Sequence, residues 1–559
     1  MPTLDVSELN IVLAILGAFI ILYGVISVKI KNVWYLGEAL PAVVMGIILG
    51  PIASGFIEPE DWGVGAKDQL GAISLGVARV VIGVQLVIAG FQLPAKYQLK
   101  RWKEMLLCLL PIMTIMWLCT TGCILLTVPN LTLLAGLVIG SCVTCTDPIL
   151  SQAIAKGPFA DKYVARDLRE IISSEAGAND GFGFPFLMLA TYLLRHADIP
   201  GAGEGEGQLE TRSGEVGRLG GGVGKALEMW VVETWLYVVL MSAVYGAVCG
   251  YGSCKVMKFA LKKKWIDNES CLLWPSALGM FILGTCGSLG TDDLLACFIA
   301  GNALNWDGGY LHESEARHDE VNSCIDVLLN FGGFMYIGAV LPWGDFNQPE
   351  FGITYPRLIA LGFLVLLLRR LPAILLMYKL MPNVCKDWKE ALFMGYYGPI
   401  GVGAVFYVEH AHHLFPKLGE GDTELNNLVR AMSPLVYWLV LFSIIVHGLS
   451  IPLHNLIYKW AGVKPIVDET GPIPMRRLSM NQSVPKNSTR SDKHESVIVN
   501  NRFSRVNSIQ ESGPWGGPNT AAWDETGLTG RDKPQGYYNE PPTTGIPRRP
   551  TVQFNDERV

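Results

Sequence analysis

Cys145-Thr146-Asp147-Pro148, inside the apolar run 131–155, and Ser174-Glu175-Ala176-Gly177-Ala178-Asn179-Asp180-Gly181, inside the next run 165–194, decide how this chain is read. Both runs are long and apolar enough to cross a bilayer, which takes about 20 residues of helix. An ionised side chain at that depth costs about 3 kcal/mol on insertion scales. Acids there are therefore paired, turned to an aqueous cavity, or functional. Two of them on consecutive spans, the first followed by a proline, point to a cation or proton site at an interrupted helix.

Working outward, the chain holds thirteen such runs, at 9–28, 33–52, 72–94, 104–128, 131–155, 165–194, 229–254, 270–289, 291–305, 321–342, 356–381, 389–410 and 431–460. Only Gly287-Ser288-Leu289-Gly290 separates the eighth from the ninth, so twelve is the alternative count. Basic residues arbitrate, because cytoplasmic loops carry the excess of Lys and Arg. Lys29 and Lys31 follow span one, Lys100, Arg101 and Lys103 span three, Lys156, Lys162 and Arg166 span five, Lys262, Lys263 and Lys264 span seven, and Lys386 and Lys389 span eleven. All are odd-numbered connections. Glu58, Glu60 and Asp61 after span two and Glu420, Asp422 and Glu424 after span twelve mark the opposite side. Thirteen spans preserve the alternation, with the N-terminus outside; twelve would invert every later loop.

The expected fold is an all-α polytopic membrane protein of thirteen, or twelve, transmembrane helices over residues 9–466. A polar tail, 467–559, has no apolar run long enough to pack and reads as disordered and cytoplasmic. The Gly- and Glu-rich stretch 195–224 reads as a flexible linker between two halves. Continuous rather than alternating apolar runs exclude a transmembrane barrel.

Of 559 residues, half are hydrophobic and 17% charged, and the formal net charge of −6 has no concentrated basic face of the kind that binds nucleic acid. Most of the 12 cysteines lie in apolar spans and read as small hydrophobes; without a CxxC pair no zinc site is expected, and no other metal or cofactor. His312-Glu313 lacks a second histidine at zincin spacing and no Walker motif is present, which argues against a protease, an ATP-driven pump or any enzyme.

Pro148 has no N–H and frees a carbonyl one turn back, which must find protein, water or an ion. Asp147 beside it either caps a half-helix or ligates a cation. Asp180 is the candidate exchanging carboxylate: in a low-dielectric site it can hold a proton or a cation, and the two compete. Its alternative is a structural hydrogen-bonding role between helices. Thr146 and Asn179 complete the candidate cation- and proton-binding group, Asn179 as a neutral amide for Asp147 or a helix end. Glu175 lies four residues before Asn179 on the same helical face and needs a buried cation; Arg370 in span eleven is the expected partner, Arg369 the alternative. Gly395-Tyr396-Tyr397-Gly398-Pro399-Ile400-Gly401-Val402-Gly403 interrupts span twelve as Pro148 interrupts span five. Breaks seven spans apart, marked by Pro148 and Pro399, predict inverted repeats with two broken, crossing helices. Asp292 and Asp293 read either as caps of span nine or as an acidic, cation-attracting vestibule. Arg79 in span three either pairs with an interior acid or snorkels to an interface. Glu409-His410-Ala411-His412-His413 reads as a solvated outer loop, with a metal or pH-sensing role the alternative, and Ser479 in Arg476-Arg477-Leu478-Ser479 as a kinase acceptor.

Together, Thr146-Asp147-Pro148, Glu175-Ala176-Gly177-Ala178-Asn179-Asp180-Gly181, Gly290-Thr291-Asp292-Asp293-Leu294-Leu295-Ala296-Cys297-Phe298 and Gly398-Pro399-Ile400-Gly401-Val402-Gly403 resemble the fungal plasma-membrane sodium/proton antiporters, within the monovalent cation/proton antiporter superfamily. The likeness covers about residues 9–466. It implies a homodimer whose core domain moves against a dimerisation domain. It implies export of Na⁺ and Li⁺, often also K⁺, against inward protons, for salt tolerance and for pH and cation homeostasis, at the plasma membrane. By the resemblance Asp147 and Asp180 bind the ion, Asn179 stabilises a helix, Glu175 and an arginine of span eleven brace the site, and Asp292 and Asp293 match an acidic pair of the fungal branch. The Asn-Asp form implies electroneutral exchange. Two departures stand out. Ala176 occupies the place of a serine that helps ligate the cation in many relatives, and the glycine-rich arginine motif of animal and bacterial relatives is absent from span twelve. The residues by themselves leave two rivals: a cation channel lined by the same acids, and a membrane sensor or scaffold signalling through its tail.

Overall fold

The computed structural model describes residues 8–62, 69–155, 158–198, 217–317 and 321–463, with three short strands beyond them. The principal helices are α1 (Glu8–Val28), α2 (Ala39–Leu49), α3 (Gln69–Phe91), α4 (Trp102–Thr127), α5 (Leu133–Cys142), α6 (Pro148–Ala155), α7 (Arg166–Gly181), α8 (Phe184–Arg195), α9 (Gly222–Lys263), α10 (Asn268–Leu289), α11 (Asp293–Leu304), α12 (Val321–Ala339), α13 (Tyr355–Leu368), α14 (Leu371–Met377), α15 (Trp388–Tyr396), α16 (Val402–His412) and α17 (Thr423–Trp460). Seven helices among the described residues are long and apolar enough to cross a membrane, α1, α3, α4, α9, α10 and α17 together with the run Tyr355–Leu380. The others are the halves of interrupted spans, or shorter. Each of the thirteen expected runs carries a helix or an interrupted one.

Helix starts follow the side chains that satisfy their free N–H groups. Thr132 caps α5, Asp267 α10, Asp387 α15 and Asp422 α17, each accepting a bond from a backbone N–H of the first turn. The turn at 290–292 settles the doubtful boundary. Gly290 takes φ +68°, which a side chain would resist, and Asp292 caps α11 by accepting from the Leu295 N–H at 3.0 Å. The chain therefore reverses here, and the eighth and ninth runs are separate helices.

Contacts between connections support the same count. Arg218, ahead of span seven, pairs with Asp422 (2.9 Å) and Glu424 (2.6 Å) ahead of span thirteen, and Asn427 donates to the Asn130 carbonyl before span five at 3.2 Å. These are even-numbered connections meeting one another. At the other end Arg101 meets Asp167 (3.1 Å), Asn383 meets Glu104 (3.1 Å), and Lys96 lies over the Trp306 ring. These join odd connections. Had spans eight and nine been one helix, Arg218 and Asp422 would lie on opposite sides of the membrane.

Two sets of helices pack among themselves. α3, α9, α10 and α11 form one set, joined by α2 and α12, with α1 against α12. Backbones touch there: a Cβ on Gly46 would run into the Met335 carbonyl, one on Gly338 into that of Val43, and one on Gly301 into that of Val87. The second set is α4–α8 with α13–α17. α16 on α3 and α7 on α11 are main contacts between the sets. Much of α9, including Val232, Leu236, Leu240, Val244 and Val248, is exposed and apolar, as a lipid-facing surface requires.

Within the expected tail the described residues are β1 (Ile473–Met475), β2 (Ser488–Ser491) and β3 (Ser496–Val499), paired antiparallel in the order β1-β3-β2. Ser479 and most of the linker 195–224 lie outside the described residues.

Candidate functional site

Between α5 and α6, and again between α15 and α16, the backbone leaves the helix, and the two breaks cross. The Asp147 N–H donates to the Pro399 carbonyl at 2.9 Å. Every N–H and C=O so exposed needs a partner, and the neighbouring side chains supply them. Asn179 Oδ1 accepts from the Thr146 N–H (3.0 Å) while its Nδ2 donates to Thr146 Oγ1 (2.8 Å). Ser443 Oγ accepts from the Ile400 N–H at 2.7 Å.

Asp147 serves two helix ends at once. Its Oδ1 accepts from the Leu150 N–H of α6 (2.8 Å), its Oδ2 from the Val402 N–H of α16 (2.7 Å). Both are N-termini, where the helix dipole favours negative charge. Arg369 is the counterpart: its guanidinium donates to the Cys145 carbonyl (3.3 Å) and the Gly398 carbonyl (3.0 Å), just past the C-terminal ends of α5 and α15. A carboxylate thus faces the positive ends of two half-helices and a guanidinium the negative ends of the other two.

Of the two arginines, Arg370 is the one Glu175 reaches. The pair is bidentate at 2.5 and 2.7 Å, with both side chains buried, and Arg370 Nε donates to the Met394 carbonyl at 2.9 Å. Leu368 and Leu371 end and begin separate helices, α13 and α14, so span eleven is itself interrupted at the arginines. Pro372, at the second position of α14, has no N–H to offer the Leu368 carbonyl four residues back, where α13 ends; the sequence carried this signal beside the two arginines, and it was not used to place a break.

Asp180 stands apart. It is fully buried, Asp147 is its charged neighbour, and neither of its carboxylate oxygens has a hydrogen-bond partner among the described residues. Its backbone is held instead. Tyr407 Oη donates to the Asp180 carbonyl (2.6 Å) and accepts from the Gly183 N–H (3.1 Å), clamping the break between α7 and α8. Sequence reasoning passed over Tyr407; a lone tyrosine in the otherwise apolar stretch 402–408 was the available signal. Tyr407→Phe leaves the Gly183 N–H without this acceptor and is expected to cost about 1–3 kcal/mol, read as a lowered thermal midpoint in detergent. A midpoint equal to wild type would remove the clamp.

The span-twelve glycines clear space for this set of charges. A Cβ on Gly398 would meet the Arg370 side chain, one on Gly401 the Asp147 carboxylate, and one on Gly403 the Asp180 carboxylate. Asp292 and Asp293 lie at the start of α11, buried. Asp292 caps the helix, and Asp293 pairs with Arg79 at 2.5 and 2.8 Å, which places Arg79 at an interior acid. The Glu409 stretch needs correction. Glu409 is 8% exposed and accepts from Tyr437 Oη at 2.8 Å, and His412 meets Ser433 Oγ at 2.8 Å. α16 continues to His412 between α3 and α17, so this is packed helix rather than solvated loop.

Residues 14–454 match the family described as sodium/hydrogen exchanger, transmembrane. The chain is 34% identical over 459 residues to Na(+)/H(+) antiporter 2 of Zygosaccharomyces rouxii, covering 80% of this chain and 53% of that one. It is 35% identical over 465 residues to the Na(+)/H(+) antiporter of Saccharomyces cerevisiae, covering 81% and 44%. To the Na(+)/H(+) antiporter of Schizosaccharomyces pombe it is 31% identical over 470 residues, covering 83% and 93%. The chain thus spans about half the length of the first two. The fold is similar to that of the sodium proton antiporter MjNhaP1 of Methanocaldococcus jannaschii, with TM-score 0.50 and 16% identity, covering 79% of this chain and all of that one. A match to the family over residues 14–454, with the two broken helices crossing at Asp147, leaves one assignment: the chain belongs to the transmembrane sodium/hydrogen exchanger family.

Proposed function

We propose that this protein is a secondary active antiporter that exchanges a monovalent cation for a proton at Asp180. The observation that carries this is the buried Asp180 carboxylate, with neither oxygen partnered among the described residues, beside the crossing of two broken helices. Counting the charges at the crossing supports a stoichiometry. Glu175 and Arg370 cancel, Asp147 and Arg369 offset one another at the helix ends, and Asp180 is left over. One positive charge neutralises it, a proton or a cation but not both, which makes the exchange one for one and electroneutral. Thr146 and Asn179 hold the non-helical segment whose backbone would complete the ion's cage, and the breaks at Pro148 and Pro399 supply carbonyls. Glu175 and Arg370 brace the site without carrying anything. Asp292, capping α11, and Asp293, paired with Arg79, would act as structural supports of that helix rather than as a cation-attracting vestibule.

Na⁺, Li⁺ and K⁺ are the proposed cargo, and a homodimer in the plasma membrane the proposed assembly, following the resemblance of these motifs to the fungal antiporters. By the charge of the odd-numbered loops, the N-terminus would lie outside and the tail 467–559, with Ser479 as a kinase acceptor, in the cytoplasm. The test is dissipation of an imposed pH gradient in proteoliposomes on adding Na⁺, Li⁺ or K⁺ in turn. Cation-dependent proton movement is expected. Silence with every cation, from folded protein, would overturn the reading; a current reversing at one cation's Nernst potential without pH coupling would make it a channel.

A further inference from the structure

Gly403 leaves a space that two side chains share. The point where a Cβ would sit lies 2.5 Å from Asp180 Oδ1 and 3.1 Å from Cys145 Sγ. A thiol and a carboxylate thus converge on one spot. Cys145 is 2% exposed and Asp180 wholly buried. The thiol is barely committed elsewhere: its contact with the Cys142 carbonyl, at 4.0 Å, is at the long limit for sulfur. Its place is fixed by the backbone, since the Cys145 carbonyl receives the Arg369 guanidinium. On the facing helix, position 176 carries only the methyl of Ala176.

We infer that the Cys145 thiol, facing Asp180 across Gly403, sets the cation selectivity of this site, biasing it away from Li⁺ and Na⁺ and towards K⁺. The inference rests on the antiporter reading above. A small, hard cation requires short contacts to oxygen, whereas sulfur is larger, softer and suited to thiophilic metals. A neutral thiol beside the carboxylate therefore replaces lost hydration poorly for Li⁺, less poorly for K⁺. The same pairing of sulfur and carboxylate makes the site open to capture by a thiophilic divalent cation such as Cd²⁺.

Wild type, Cys145→Ser and Cys145→Ala are compared in proteoliposomes for the Li⁺, Na⁺ and K⁺ concentrations giving half-maximal proton movement, and for block by Cd²⁺. Cys145→Ser is expected to lower the Li⁺ requirement relative to K⁺ by about five- to tenfold, up to about 1.4 kcal/mol. Cd²⁺ should block wild type, less so at high Na⁺, and spare both variants. An unchanged Li⁺-to-K⁺ ratio in an active Cys145→Ser protein overturns the inference, and so does Cd²⁺ block that persists in Cys145→Ala. Wild-type vesicles silent to all three cations overturn the antiporter reading itself, and this inference with it; active wild type with an unchanged ratio overturns this inference alone.

Discussion

Asp180→Asn is expected to abolish cation-driven proton movement, to the rate of vesicles without protein, while the protein stays folded and its thermal midpoint in detergent holds or rises. The physical case is unusual for a fully buried polar residue. The side chain has no hydrogen-bond partner among the described residues, so the substitution breaks no bond of that kind. The structural bond at this position is from Tyr407 to the backbone carbonyl, which asparagine retains. What is lost is a charge whose burial is costly, together with its capacity to take up either a proton or a cation. Asp147→Asn makes the contrast. Both Asp147 oxygens accept backbone N–H bonds, one at each half-helix, and an amide can accept at only one of them. That variant should lose stability as well as transport. Exchange at the wild-type rate in Asp180→Asn, or a collapse of its folding, would sink the assignment of the two carboxylates.

The second large effect is on stability. Glu175→Ala is expected to destabilise by about 3–5 kcal/mol, because it leaves the Arg370 guanidinium buried without its carboxylate. Arg370→Met does the converse to Glu175 and also removes the donor to the Met394 carbonyl. Replacing both, Glu175→Ala with Arg370→Met, takes both charges out of the interior and is expected to be less destabilised than the sum of the single changes. Thermal unfolding of the four proteins closes the cycle. Additive losses would mean that the pair does not act as a unit, and that Arg369 carries part of the compensation.

Much of the fold was legible because the membrane imposes it. The apolar runs gave the helices, and the alternation of basic loops gave thirteen spans over twelve. The turn at Gly290 and the Arg218–Asp422 contact support the same count. Pro148 and Pro399 marked two breaks correctly, since a proline cannot continue the bonding ladder. The break at Arg369–Arg370 has the same local cause in Pro372 and could have been read the same way; the packing that buries Glu409 was invisible. Asp147, Asn179 and Asp180 could be named from the sequence, because polar residues in apolar spans stand out. Their division of labour could not. Asp147 bonds to Val402, 255 residues away, Glu175 to Arg370, 195 away, and Tyr407 to the Asp180 backbone, 227 away. Hydropathy and local spacing determined which residues lie within the membrane. Only the crossing of the two broken helices decided that one carboxylate is spent on helix ends while the other is left without a hydrogen-bond partner among the described residues, because hydrogen bonding there is settled by contacts between distant segments.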